Sequence, residues 1–244
     1  MEDLDKILKR IEERSMQELE KKYKLICEVC HKEYEDNLLN KPFFCSKDCA
    51  SKHNAQEQEK RRNLHISQGL SLLPLKYQSI DTDRQPLLKE SMYKNLFITG
   101  GVGTGKTVFM ASLAKEYIKQ LKNIQWISYP KFILKLQNSY KNEVFEVNRY
   151  DSVKVNPFDL VDDLASYAGY LFIDDLGAEK LTEFVRQTTY YLLNEREQYM
   201  LPTIITSNFS LDEIDRDIDK RVSSRICGMC KILKFTGKDR RVEA

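Results

Sequence analysis

No run of apolar residues in this 244-residue chain approaches the length that crosses a bilayer. Its opening stretch, MEDLDKILKRIEERSMQELEKKY, is charged every few residues and lacks the apolar core of a secretory signal. A membrane location is therefore not expected, and the reducing cytoplasm is the expected setting. Strong charge of either sign is also missing: 39 basic residues stand against 37 acidic ones, for a formal net charge of +2. That excludes a polybasic tail, and leaves any contact with nucleic acid to a local patch. Internal repeats and low-complexity tracts are absent. What remains is a hydrophobic content of 41%, enough for a proper core, in a length that suits one large domain with a small appendage.

A reducing compartment rarely keeps disulfides, which moves the cysteines toward metal or burial. Four of them lie in CEVCHKEYEDNLLNKPFFCSKDC, residues 27–49. Cys27, Cys30 and His31 match the CxxCH pattern of covalent haem. Haem, however, needs export or a dedicated attachment system and leaves Cys45 and Cys49 unexplained. A zinc ion accounts for all four: Cys27 and Cys30 on one tight turn, Cys45 and Cys49 on the first turn of a helix starting near Ser46. Four thiolates make a closed tetrahedral structural site, and such a short segment would draw much of its folding free energy from the metal. A second CxxC, Cys227 and Cys230, has no matching pair and reads as buried thiols.

Residues 2–24 place Leu4, Ile7, Leu8, Ile11, Leu19 and Tyr23 at roughly helical spacing, which predicts an amphipathic helix that packs on a neighbour or offers a face to a partner. A polar helical stretch follows the cysteines, and residues 67–77 read as a loop-like joint. From residue 95 the texture changes. Apolar runs at 95–100, 124–129, 170–176, 202–208 and 230–235 alternate with helical patterns, which predicts a mainly parallel α/β sheet covered on both faces.

Gly100, Gly101, Val102, Gly103, Thr104, Gly105, Lys106 and Thr107 form GxxxxGKT between a strand and a helical run. In that context backbone N–H groups close round phosphates at a helix N-terminus. Lys106 is expected to reach the β- and γ-phosphates of ATP, and Thr107 to hold Mg2+. The run YLFIDDLG ends an apolar strand on two carboxylates. Adjacent acids there are costly unless a cation or solvent meets them. Asp174 is the expected Mg2+ residue, and Asp175 is placed to orient the attacking water.

Residues from about 73 to 241 resemble the AAA+ ATPases of the bacterial helicase-loader family, the DnaC and DnaI type, with the related IstB transposition helpers. The resemblance rests on LPLKYQ, GGVGTGKT, FIDDLGAEKLTEF, IITSN and KRVSSRI, in the family's order. It implies a five-stranded AAA+ core without a substantial helical lid. It makes Asn208 a polar sensor of the γ-phosphate and Arg225 the arginine finger inserted by a neighbouring subunit, with Arg221 the weaker candidate. GKDRR resembles a terminal motif that would make Arg241 a second phosphate sensor, although Asp239 stands where the family often has Ser. PFFCSKDC and its spacing resemble treble-clef zinc knuckles, with His31 in the place of the usual Gly and His53 able to replace a ligand.

The family likeness implies an ATP-dependent loader with three parts: residues 1–66 as a zinc arm docking the hexameric replicative helicase of the DnaB type, 67–78 as a linker, and 79–244 as a self-associating ATPase. PKFILKLQNSYKNE occupies the region of an insertion that grips single-stranded DNA in this clade. Lys131, Lys135 and Lys141 would track phosphates and Tyr140 would stack on a base, unless the segment is a solvated helix. Rival readings are an IstB-like transposition helper on duplex DNA, and a nucleotide-switched adaptor with little turnover.

Overall fold

The computed structural model describes residues 22–37, 44–142, 145–148, 151–153 and 156–240. They fall into two compact units that divide between Leu64 and His65. In the first, β1 (Lys22–Ile26) and β2 (Glu33–Asn37) form an antiparallel hairpin. The predicted helix over 2–24 therefore gives way at residues 22–24. There Tyr23 and Leu25 turn to the half-buried side while Lys22 and Lys24 face solvent, a period of two that pairs with Glu33–Asn37. Leu4, Ile7, Leu8, Ile11 and Leu19 lie outside the described residues. Helix α1 (Lys47–Ser71) starts where Ser46 Oγ accepts the Cys49 N–H at 3.2 Å, which satisfies an otherwise orphaned donor of the first turn.

The loop-like reading of 67–77 is corrected by α1, which runs on to Ser71, and by α2 (Leu75–Gln78). Ile66, Leu70 and Leu73 pack into the core of the second unit. Gly69 makes this contact close, because a Cβ there would lie 2.8 Å from Ile118 Cγ2. Burial of that apolar stripe outweighs the low helix propensity of Ser and Gly in the segment.

The second unit continues with α3 (Gln85–Ser91), β3 (Leu96–Gly100), α4 (Lys106–Lys119), β4 (Ile124–Ser128) and α5 (Tyr129–Asn142). A short antiparallel hairpin follows, β5 (Phe145–Asn148) and β6 (Asp151–Val153), then α6 (Pro157–Ser166) and β7 (Tyr170–Leu176). Next come α7 (Glu183–Gln198), β8 (Thr203–Ser207), α8 (Leu211–Glu213), a π-helical turn (Ile214–Ile218), α9 (Lys220–Met229) and β9 (Lys231–Phe235). The strands make one five-stranded sheet in the order β4-β7-β8-β3-β9, with every pair parallel.

Alternation along the strands divides the core in two. Leu96, Ile98, Trp126, Phe172 and Ile204 face α4 and the end of α1, while Phe97, Ile127, Ile173 and Ile205 face the layer of α5, α6, α7 and α9. Cys227 does not join this core. It is exposed on α9, whose buried side is Val222, Ser223 and Ile226, so the reading of two buried thiols fails there, while Cys230 is half-buried against the core, where burial pushes the thiol up to about 12.

At the amino ends of the strands, Arg196 of α7 is 0% exposed. Its guanidinium donates to the carbonyls of Leu164, Tyr167, Gly169 and Pro202 and to Thr203 Oγ1, at 2.8–3.3 Å. Burial lowers its pKa to about 10, so it stays charged near neutrality, surrounded by oriented dipoles. These bonds tie the end of α7 to the loops entering β7 and β8. Arg196→Leu strands those buried acceptors, and is expected to cost about 3–5 kcal/mol, read as a lower urea midpoint with unchanged slope.

Candidate nucleotide site and metal cluster

The carboxyl ends of β3, β7 and β8 converge, the place where open parallel sheets bind ligands. The loop from Gly100 leads into α4 with Gly105 as its N-cap residue. Gly103 holds φ +73, and a Cβ there would stand 1.7 Å from Asp239 Oδ1, so only glycine fits beneath the chain's 237–240 segment. The Arg240 N–H donates to Gly103 O at 3.2 Å and fixes that segment on the loop.

Lys106 Nζ donates to Gly100 O (2.7 Å), Gly101 O (2.8 Å) and Asn208 Oδ1 (2.7 Å). The lysine of the loop and the asparagine singled out at the end of β8 are thus in direct contact. Asp174 is 7% exposed, and its Oδ1 accepts from the hydroxyls of Thr107 (3.0 Å) and Thr206 (2.7 Å). Burial pushes its carboxyl up to about 6 and Asp175 adds to this, against the pull of the Thr206 and Thr107 hydroxyls and the Lys106 ammonium.

Asp175 adopts φ +60, and its N–H donates to Thr206 Oγ1 at 2.9 Å. The register of β7 on β8 slips between Ile173 and Leu176, so both acids sit on a bulge. A regular strand would send neighbouring side chains to opposite faces. Here Asp174 meets Thr107 while Asp175 lines the cavity.

That cavity has a volume of about 600 Å3 and extends along the loop from Asp175 and Asn208 to a wall between Lys76 and Arg84. Arg240 also lines it, its guanidinium bonded to both Asp83 oxygens at 3.0 and 3.1 Å. Arg241 lies outside the described residues. The sequence reading missed Arg240, Asp83 and Thr206. Only the hydroxyl of Thr206 inside the apolar run PTIITSN hinted at a partner across the strand. Tyr77 of LPLKYQ lines the far wall.

Arg225 is not brought to this cavity. It bonds Glu197 Oε2 at 2.6 Å and lies 5.9 Å from the Tyr190 ring centre. Arg221 bonds Asp219 at 2.8 Å and stands 4.7 Å over the same ring. Lys131 and Lys135 line a separate cavity of about 420 Å3 with Trp126 and Phe132. The side chains of Tyr140 and Lys141 lie outside the described residues.

In the first unit the four cysteine sulfurs lie within 4.8 Å of one another, with Cys30–Cys45 at 3.4 Å and Cys45–Cys49 at 3.6 Å. A tetrahedron with Zn–S bonds of 2.3 Å has sulfur separations of about 3.8 Å, so the donor set fits a zinc ion. At Cys27, burial raises the thiol, but the backbone N–H groups of Cys45, Cys30 and Val29 lower it further, to about 6. His31 takes φ +57, the conformation glycine usually supplies in such a turn. His53 turns to Glu28, 4.0 Å away, and to the Phe44 ring, and is not one of the four clustered ligands.

No family model matches the chain. It is 25% identical over 223 residues to the replicative helicase loader DnaI of Bacillus subtilis (strain 168), a match covering 80% of this chain and 68% of that protein. The chain is homologous to the Bacillus DnaI helicase loader. Among solved structures, a DnaI crystal structure aligns with a TM-score of 0.54 at 20% identity, over 71% of this chain and 99% of that one. AMPPCP-bound DnaA from Aquifex aeolicus aligns with a TM-score of 0.52 at 21% identity, over 69% of this chain and 53% of that one. The fold is the AAA+ α/β core preceded by a four-cysteine cluster compatible with zinc.

Cys49 is the one residue of α1 that is fully buried, so a bound metal would supply order that the described part of the first unit draws from little apolar packing. The chain is expected to hold one zinc ion at the four cysteines. Chelation should then unfold the hairpin unit while the unit from His65 onward keeps its cooperative transition, read as loss of one of two thermal transitions.

Proposed function

We propose that this chain is an ATP-dependent loader of a ring-shaped replicative helicase, with its zinc arm as the docking module. The observation that carries the reading is a phosphate loop bonded to the strand-end carboxylate of Asp174 and to the strand-end Asn208, with Asp175 lining the same cavity, on a chain homologous to DnaI. In this reading the N–H groups of residues 101–107 cradle the phosphates of ATP. Lys106 moves its bonds from Gly100 O and Gly101 O to the phosphate oxygens while Asn208 keeps it oriented. Thr107 and Asp174 would hold Mg2+, which when bound offsets phosphate charge.

Asp175 orients the attacking water and accepts its proton. Arg225 acts between copies of the chain: its bond to Glu197 must yield before the guanidinium reaches a neighbour's γ-phosphate. Arg240, directly on the cavity, takes the sensing role that the sequence suggests for Arg241. Lys131 and Lys135, with Phe132 beside them, suit the backbone and bases of single-stranded DNA.

Lys106→Ala is expected to abolish ATP binding in equilibrium titration. Asp175→Asn should keep ATP affinity within about threefold while slowing single-turnover hydrolysis by roughly a hundredfold or more. The docking role is tested by co-elution with the replicative helicase of the same source, with and without ATP. A complex lost in Cys27→Ser/Cys30→Ser supports the zinc arm. Absence of any complex, with ATP-dependent assembly on duplex DNA instead, overturns the loader in favour of a transposition helper.

A further inference from the structure

The wall of the main cavity opposite the phosphate loop is not held in place by its own packing alone. Its middle residues, Ile80, Asp81 and Thr82, are bound from behind by α4, the helix whose first turn carries Lys106 and Thr107. Lys115 Nζ donates to Ile80 O at 2.6 Å and stands 2.6 Å from Asp81 Oδ1. Three residues earlier on α4, Ser112 Oγ accepts the Thr82 N–H at 2.8 Å while donating to Val108 O at 2.9 Å.

The Lys115 side chain is 7% exposed and does not line the cavity itself, whereas the Asp81 carboxylate it meets is 63% exposed. Burying an ammonium is costly, and an apolar side chain would fill the same space more cheaply, so the polar contacts point to a task other than core stability.

We propose that Lys115 and Ser112 are positioning residues. They fix the Ile80–Thr82 wall at a set distance from the phosphate loop and so determine how well the nucleoside part of the ligand is held. Lys106 and Lys115 are nine positions apart on one helix, about 14 Å along its axis, so loop and wall form a single rigid gauge. The phosphate end is served by Lys106, Thr107 and the loop, none of which depends on Lys115. Loss of the strut therefore loosens the grip on the nucleoside and leaves the grip on phosphate intact. This inference rests on the nucleotide reading of the preceding subsection.

The test compares ATP with tripolyphosphate, which lacks the nucleoside, on the full chain. For Lys115→Met the Kd of ATP is expected to rise about tenfold, the loss of one charged hydrogen bond, while that of tripolyphosphate changes less than about twofold. Ser112→Ala, a smaller change that preserves the buried lysine, should shift ATP in the same direction by about threefold. Melting curves of both variants establish that each is folded. Folded variants that bind ATP as the wild type does, or that lose both ligands equally, overturn the strut. A wild-type chain that binds tripolyphosphate and ATP equally removes the nucleoside contact and overturns it too. A wild-type chain that binds neither ligand overturns the nucleotide reading itself, and the inference with it.

Discussion

A single carboxylate oxygen holds the site together. Asp174 Oδ1 accepts from Thr107 at the head of α4 and from Thr206 on β8, while Thr206 Oγ1 accepts the Asp175 N–H. The loop helix, the acidic strand and its neighbour are thereby locked at one point. That lock explains why a left-handed backbone is tolerated at Asp175. The strain of order 1 kcal/mol is offset by bonds that only this conformation makes, and the bulge turns two consecutive acids to separate tasks. Asn208 extends the arrangement by binding the ammonium of Lys106, so the ends of β3, β7 and β8 are coupled through side chains as well as through the sheet.

The parts legible in the sequence were those whose chemistry is contiguous. GGVGTGKT and FIDDLG carry both the residues and the strand–loop–helix setting that the chemistry requires, and the cysteine spacing carries its own geometry. What escaped depends on folding in three dimensions. Lys115 looks like any lysine of an amphipathic helix until the Ile80–Thr82 segment is laid against it. Nothing in GKDRR singles out Arg240, and it is the bond of its N–H to Gly103 O that sets its segment on the loop, with its guanidinium at the cavity. The strand at 22–24 competes with a long helical pattern, and pairing with Glu33–Asn37 decides it locally. The joint at 67–77 read as a loop because Ser and Gly weaken a helix, yet Gly69 is there to let α1 approach Ile118.

The two units solve the problem of stability in different ways. The larger has a sheet with apolar side chains on both faces and a helical layer on each. The described residues of the smaller form a hairpin, a turn held by two backbone bonds and a helix that buries one cysteine, with four thiols gathered where a metal would tie them together. If the smaller unit draws its order from a metal and the larger does not, each can be lost or kept without the other.

Arg196 has a consequence for how such a protein behaves in salt. Its charge is met by buried carbonyls and a hydroxyl rather than by a surface carboxylate, and mobile ions do not reach it. Surface pairs such as Lys231–Glu90 and Arg240–Asp83 are open to screening. Ionic strength thus acts on the rim of the cavity and on any groove that meets a phosphate backbone, while the end of α7 is held independently of it. The end of α7 stays constant over the salt range in which pairs on the rim strengthen and fade.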